Sequence, residues 1–327
     1  MVDRNEKLVN AHNILKKELK LDLTFADEIP EYERVKTGMP MFDYVLGGGF
    51  PRGGITIIHG EASTGKTFVT QRAIANAQKQ GMACGFVDVE HAYDQRWASV
   101  IGIDNSNLSV YQPYSAEEAL ETTAALCEHE LDVVVLDSIA ALLPAAEAEG
   151  DMDDMQVGAQ ARLLNKFFRK VVPALTTTAL IMINQRRVNV GGRAMNGIAP
   201  IALPAGKAQE YFSKIIIETR KAQPIYPGAA KKGEPLGFTL RAKAVKNKTC
   251  PPFRECDIPI YYTGEIDVIG EIFDLGVMYD IIIRGGAYYS YGEHKVMGRD
   301  KFIDMMEEKG LTEAIESDIE KYVTGDS

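Results

Sequence analysis

Tryptophan occurs once in these 327 residues, cysteine four times and histidine five times, and each scarcity excludes something. Cys84, Cys127, Cys250 and Cys256 show no C-x-x-C spacing, and His12, His59, His91, His129 and His294 are scattered. A zinc cluster or a disulfide scaffold is therefore not expected, and the thiols read as reduced and structural. No apolar run approaches the roughly 18 residues that a membrane-crossing helix needs. The charged start, Met-Val-Asp-Arg-Asn-Glu-Lys, lacks the apolar segment of an export signal, so no membrane association and a cytoplasmic location are expected. Basic residues are also in deficit. With 36 Lys and Arg against 46 Asp and Glu, the formal net charge of -10 argues against indiscriminate nucleic-acid binding but leaves room for a local basic groove. No solenoid repeat or low-complexity tract is visible. What is present is 46% hydrophobic and 25% charged, enough for a large core.

The chain reads in three parts. In residues 1–34, Leu8, Ala11, Leu15 and Leu19 recur at helical spacing, followed by a polar, proline-containing linker; this is a helical arm suited to oligomerisation. Across residues 35–265, β-branched runs at 55–58, 84–89, 133–136, 180–183 and 214–217 alternate with helical segments. That alternation predicts an α/β core with a mostly parallel central sheet. Residues 266–327 predict a small C-terminal α/β domain, with a Gly/Tyr-rich hairpin near 284–292 and amphipathic stretches near 302–306 and 315–323.

The strongest local signal is Gly60-Glu61-Ala62-Ser63-Thr64-Gly65-Lys66-Thr67, a complete G-x-x-x-x-G-K-[ST] loop after an apolar strand and before a helix-like segment, with Phe68 also expected at the nucleotide. Its glycines let backbone N–H groups curl round phosphates, Lys66 neutralises β/γ charge, and the Thr67 hydroxyl suits Mg²⁺. ATP and Mg²⁺ are the expected cofactors. Asp137 ends the buried run 133–136, where phosphate-loop proteins place the carboxylate that completes the metal's coordination sphere; a strand-end Asp can equally cap a turn. Glu90 follows the run 84–89 and can orient and deprotonate a water beside the γ-phosphate, while a lone Glu reads equally well as a surface carboxylate.

Further segments fall in a distinctive order: 86–94 Phe-Val-Asp-Val-Glu-His-Ala-Tyr-Asp, 134–138 Val-Val-Leu-Asp-Ser, 183–185 Ile-Asn-Gln, 245–248 Val-Lys-Asn-Lys, 273–277 Phe-Asp-Leu-Gly-Val and 286–291 Gly-Ala-Tyr-Tyr-Ser-Tyr. In that order the chain resembles bacterial RecA-type recombinases over residues 36–322, with a cellular or a phage origin both open. The resemblance implies a RecA-like phosphate-loop ATPase core. It implies that Glu90 activates water, that Asp94 and Trp97 hold adenine with Tyr262 as a second aromatic, and that Gln185 senses the γ-phosphate. Lys246 and Lys248 are two apart and project from one face of an extended strand, which on an exposed edge would serve only solubility. The resemblance instead implies that they reach a neighbouring subunit's γ-phosphate. Glu210 departs from it, standing where the family pattern is basic.

DNA contact is expected from two stretches between core elements, 150–158 and 186–206. The second holds Arg186, Arg187 and Gly206, and the helix after the first presents Arg162, Lys166, Arg169 and Lys170 at helical spacing; such a face can also be merely solvated. The resemblance places Val157 and Val190 where the family inserts small apolar side chains between base triplets.

The function expected is an ATP-dependent recombinase that forms filaments on single-stranded DNA and catalyses homologous pairing and strand exchange with a duplex, with loader or mediator proteins as further partners. Two alternatives stand beside it. One is a regulatory ATPase on the same fold, suggested by 46–53 Leu-Gly-Gly-Gly-Phe-Pro-Arg-Gly; the other is a non-catalytic, nucleotide-gated DNA-binding mediator.

Overall fold

The computed structural model describes residues 5–20, 23–29, 31–145, 158–188, 201–202, 206–227 and 233–324. The chain divides into two compact units, Met1–Glu33 and Arg34–Ser327. In the first, α1 (Glu6–Glu18) is capped by the Asn5 carboxamide, which accepts from Lys7 N. Leu8 on α1 and Leu19 just after it are exposed, and His12 stacks on Phe25.

The second unit runs β1 (Arg34–Val35), α2 (Pro40–Leu46), β2 (Phe50–Pro51), β3 (Gly54–Gly60), α3 (Lys66–Lys79), β4 (Cys84–Asp88), α4 (Gln95–Ile101), β5 (Leu108–Tyr111), α5 (Ala116–Glu128) and β6 (Val133–Asp137). It continues with α6 (Ala159–Ala174), β7 (Ala179–Gln185), β8 (Arg187–Val188), β9 (Ile201–Ala202), α7 (Ala208–Phe212), β10 (Ile215–Ile225), β11 (Gly237–Asn247) and β12 (Glu255–Tyr261). The last elements are α8 (Val268–Met278), β13 (Ile283–Gly285), β14 (Tyr288–Tyr291), β15 (His294–Met297), α9 (Arg299–Lys309) and α10 (Thr312–Thr324).

Eight strands form the central sheet in the order β12-β11-β10-β3-β7-β6-β4-β5. Pairing is parallel from β10 through β5, while β10, β11 and β12 pair antiparallel. Every residue of β3 and β6 is buried, as expected of parallel strands covered on both faces. Their side chains alternate between two cores. Ile58, Val133 and Val135 join α3 residues such as Val69 and Ile74, whereas Ile55, Ile57, Val134 and Leu136 join Leu120 of α5 and Phe168 of α6. Phe273, Phe302 and Ile315, from α8, α9 and α10, belong to the first of these cores, and β13, β14 and β15 form a separate antiparallel sheet.

Beyond the expected strands, residues 237–247 and 255–261 extend the sheet as β11 and β12. The burial of β11 alternates through Phe238, Leu240, Ala242 and Ala244, the period-two pattern of a strand with one wet face. β11 is consequently not an edge strand: β10 and β12 flank it.

Candidate functional site

The phosphate loop leaves the sheet where β3 has β7 on one side and β10 on the other. Register sets Gln185 and Thr219 on either side of Gly60. A Cβ on Gly60 would lie 2.3 Å from Thr219 O, so glycine alone fits, and Gly65 takes φ 85 at the entry to α3. The Thr64 and Thr219 hydroxyls meet at 2.9 Å and brace the loop from β10. Lys66 Nζ donates to Glu61 O at 2.6 Å and Gly60 O at 3.3 Å, folding over the loop's own carbonyls. Burial lowers its pKa, opposed by the charges of Asp137 and Glu90.

Asp137 ends β6 with Val87-Asp88 of β4 alongside, and its carbonyl accepts Val89 N at 2.7 Å, turning the chain so that Glu90 faces the loop. Thr67 Oγ1 donates to Asp137 Oδ2 at 2.6 Å. Burial raises the Asp137 pKa to about 7, with the nearby charges of Glu90 and Asp88 adding to it and the Thr67 bond opposing. A buried carboxylate so disfavoured as an anion, bonded to a hydroxyl, is a pair that a hard cation would stabilise. Among the described residues no group of three or more His, Cys, Asp or Glu could hold a metal, so a cation here would need phosphate and water oxygens as well.

Glu90 stands across the cavity. Its Oε1 accepts from Gln185 Nε2 at 2.9 Å and from the Ser138 hydroxyl. The turn that carries it is held by Asp88, whose carboxylate accepts Ala92 N at 3.1 Å, Tyr93 N at 2.9 Å and Gln112 Nε2 at 2.9 Å. Ala62, Ser63, Thr64, Gly65, Lys66, Thr67, Phe68, Glu90, Trp97, Asp137 and Gln185 line one cavity of about 590 Å³, with Phe238, Ile260, Tyr261 and Tyr262 also in its wall. Trp97 lies 6.4 Å from Phe68 and Tyr262 lies 6.3 Å from Phe238, centroid to centroid, giving the cavity an aromatic end. Asp94 does not line it; its Oδ1 caps α4 by accepting Arg96 N and Trp97 N, which fixes the helix that presents Trp97.

Lys246 and Lys248 are not among the lining residues. Both reach the C-terminal carbonyls of α7: Lys246 Nζ donates to Glu210 O and to Ser213 O at 2.7 Å, and Lys248 Nζ donates to Tyr211 O at 3.2 Å. Burial and the neighbouring Lys248 lower the Lys246 pKa to about 8. Arg162, Lys166, Arg169 and Lys170 are all exposed on α6, opposite the buried Leu164, Phe167, Phe168 and Val171. Lys170 is paired with Glu128 at 3.5 Å. The Arg186 guanidinium, expected at DNA, is mostly buried and binds Glu218 at 2.6 Å. Gly206, with φ 80, sits against Ala161 of α6, and its carbonyl accepts Gln209 Nε2. Gln209 Oε1 in turn accepts from Asn184, next to Gln185. Arg187 is described as backbone only, in β8; Val157 and Val190 lie outside the described residues.

Four residues that carry this geometry, Asp88, Ser138, Glu218 and Thr219, were not singled out for these roles from the sequence. Asp88 and Ser138 flank recognised positions and were within reach; Glu218 and Thr219 act on residues far away in the chain.

A doubly covered sheet, a phosphate loop at the end of its strand, a hydroxyl-carboxylate pair and a glutamate opposite define a nucleotide-binding ATPase core. The RecA N-terminal domain pattern matches residues 16–267 and the RecA C-terminal domain pattern matches residues 270–324. The protein RecA of Thermus aquaticus is 38% identical over 316 residues, covering 94% of this chain and 91% of the relative. That of Oceanobacillus iheyensis is 39% identical over 303 residues, 90% of this chain and 85% of the relative, and that of Bacteroides thetaiotaomicron 41% over 279 residues, 84% and 82%. The chain belongs to the RecA family. It is a DNA recombinase and DNA-dependent ATPase, binding nucleotide, single-stranded and double-stranded DNA and associating with itself in filaments. No helix among the described residues is long and apolar enough to cross a membrane.

Proposed function

We propose that the 590 Å³ cavity takes ATP with Mg²⁺ and that Glu90 is the base of its hydrolysis. The observation that carries this is the Gln185–Glu90 bond at 2.9 Å, made inside the cavity that Lys66, Thr67 and Asp137 also line. Thr67 and Asp137 would hold Mg²⁺, which when bound spreads the phosphate charge and lowers the barrier to attack on it. Lys66, released from its loop carbonyls, neutralises β- and γ-phosphate oxygens. Trp97 and Tyr262 sandwich the base at the aromatic end, with Asp94 setting the helix for Trp97. Glu90 accepts the proton of the attacking water. Gln185, a neutral amide already on Glu90, can exchange that partner for a γ-phosphate oxygen and transmit the exchange to the chain that follows.

Lys246 and Lys248 act in trans in this reading. Held on carbonyls rather than carboxylates, they remain cationic donors that a neighbour's phosphate can recruit, making hydrolysis depend on filament contact. α1, with its exposed leucines, is the arm that packs on the next protomer. Arg162 and Arg169 track the DNA phosphates, while Val157 and Val190 enter base steps; base pairing supplies the sequence test. Residues 1–34, 35–265 and 266–327 serve as arm, ATPase and DNA-binding core, and C-terminal domain. The protein works in the cytoplasm, with loader or mediator proteins assisting assembly. Nothing in the site favours a purely regulatory ATPase or a mediator without hydrolysis.

The test is ATP turnover and strand exchange with and without homologous single-stranded DNA. Stimulation of turnover by DNA, with exchanged product, is expected; turnover indifferent to DNA would refute the reading.

A further inference from the structure

β3, β7 and β10 lie side by side at the root of the phosphate loop, and the register pairs His59 with Asn184 on one flank and Glu218 on the other. In-register neighbours share a sheet face, so His59 and Glu218 project together. Arg186 follows β7 by one residue. Its N–H donates to Gly60 O at 3.0 Å, and its guanidinium donates to Glu218 Oε1 at 2.6 Å. The side chain therefore crosses over β3, from the β7 flank to β10, at the point where the strand becomes the phosphate loop. Only 15% of the Arg186 side chain and 11% of the Glu218 side chain are exposed. Glu218 also accepts from Arg220, at 3.1 Å on Oε1 and 3.0 Å on Oε2. An arginine meant for DNA phosphate would carry an accessible charge; this one is spent inside the subunit.

We propose that Arg186 and Glu218 form a strap across the phosphate-loop strand that positions Gln185, making Arg186 a positioning residue for DNA-stimulated hydrolysis rather than a DNA contact. The inference rests on the reading of Gln185 as γ-phosphate sensor. Gln185 must hold its amide toward Glu90 while the chain leaves β7 for β8, and the strap clamps the residue at which it leaves. On the opposite face of β10, Thr219 braces Thr64, so the two successive residues Glu218 and Thr219 register sensor and phosphate loop against one strand. Removing Glu218 leaves the withdrawn Arg186 charge without this partner, and removing Arg186 leaves Glu218 only the more exposed Arg220; in both cases the tie across β3 is lost and the exit from β7 relaxes.

The experiment measures ATP turnover of the full chain with a poly-dT oligonucleotide, and oligonucleotide affinity as a function of salt. The variants are Arg186→Gln, Glu218→Gln, the double variant, Arg186→Lys and, as a control on the sensor itself, Gln185→Ala. The strap predicts that each single Gln variant loses about ten- to a hundredfold in DNA-stimulated kcat. The ATP KM and the salt slope of DNA binding should stay near wild type, the double variant should be no worse than either single one, and Arg186→Lys should recover most of the rate. The proposal is overturned if Glu218→Gln turns over at the wild-type rate while Arg186→Gln loses DNA affinity and about 0.7 of salt slope, the signature of a phosphate contact on a single strand. Full DNA stimulation in Gln185→Ala would instead remove the sensor reading, whatever the strap variants do. Should the Gln variants fail to fold, Glu218→Asp, which keeps the charge but shortens the reach, decides: lowered stimulation supports the strap and wild-type stimulation overturns it.

Discussion

Replacing Glu271 by glutamine should remove the fall in stability with rising pH that this carboxyl imposes on the part of the molecule that joins α2 to α8. Glu271 is 2% exposed. Its Oε2 accepts Met41 N at 2.9 Å, but Oε1 is buried with no hydrogen-bond partner. Burial raises its pKa from the ordinary 4.5 to about 8, with the charges of Asp43, Asp267 and Asp274 adding to the rise and the Met41 bond opposing it. Asp43 is itself raised, to about 7, chiefly by burial. Arg72 is the cation whose field reaches Glu271. The folded state thus keeps a proton that the unfolded chain gives up, so wild-type stability falls as pH rises from about 4.5 to about 8, and is flat in this group on either side. Each tenfold change in proton affinity is worth about 1.4 kcal/mol, so the displacement corresponds to about 4–5 kcal/mol across that window. Glutamine mimics the protonated acid but must bury an amide where Oε1 now lacks a partner, a cost of about 1–3 kcal/mol. Glu271→Gln should therefore be less stable than wild type at pH 5 and more stable, by about 1–4 kcal/mol, at pH 9. Calorimetric unfolding across that pH range checks this, and a Tm difference of constant sign and size would refute the reasoning.

Trp97 is the only tryptophan, so adding ATP should change the intrinsic fluorescence of the wild type, and Trp97→Ala should raise the ATP KM by about tenfold or more through lost base stacking, with a smaller effect on kcat. Arg162→Ala and Arg169→Ala should each weaken single-stranded DNA binding and lower the salt slope by about 0.7, as read from anisotropy titrations. Thr219→Val keeps the shape but removes the brace on Thr64; it should cost about 1–2 kcal/mol of stability and raise the ATP KM severalfold in steady-state assays.

What the sequence disclosed and what it hid follow from the range of the interactions. The phosphate loop, Thr67 and the ends of β4 and β6 are local patterns, in which a few adjacent residues dictate strand, turn and helix. The parallel strands β3, β4, β6, β7 and β10 were legible from their uninterrupted apolar runs, whereas β5, a half-exposed edge strand, was not. β12 was not, since Glu255-Cys-Asp-Ile-Pro-Ile-Tyr carries charges and a proline, and its pairing with β11 is a matter of tertiary register. The bond of Arg186 to Glu218 was hidden for the same reason: nothing beside the arginine announces an acid 32 residues on. Lys246 and Lys248 could be read as sharing a face, but not as seated on α7 carbonyls, because nothing in the local sequence announces that helix's position.

ATP hydrolysis in the proposed reading turns on Glu90, opposite the phosphate loop and bonded to Gln185, acting as the base. Single-turnover ATP hydrolysis on single-stranded DNA by Glu90→Gln, with nucleotide binding followed by Trp97 fluorescence, tests it most directly. The prediction is binding within about threefold of wild type and hydrolysis slower by about a hundredfold or more, the usual worth of a positioned general base. Hydrolysis at the wild-type rate with nucleotide bound would contradict it.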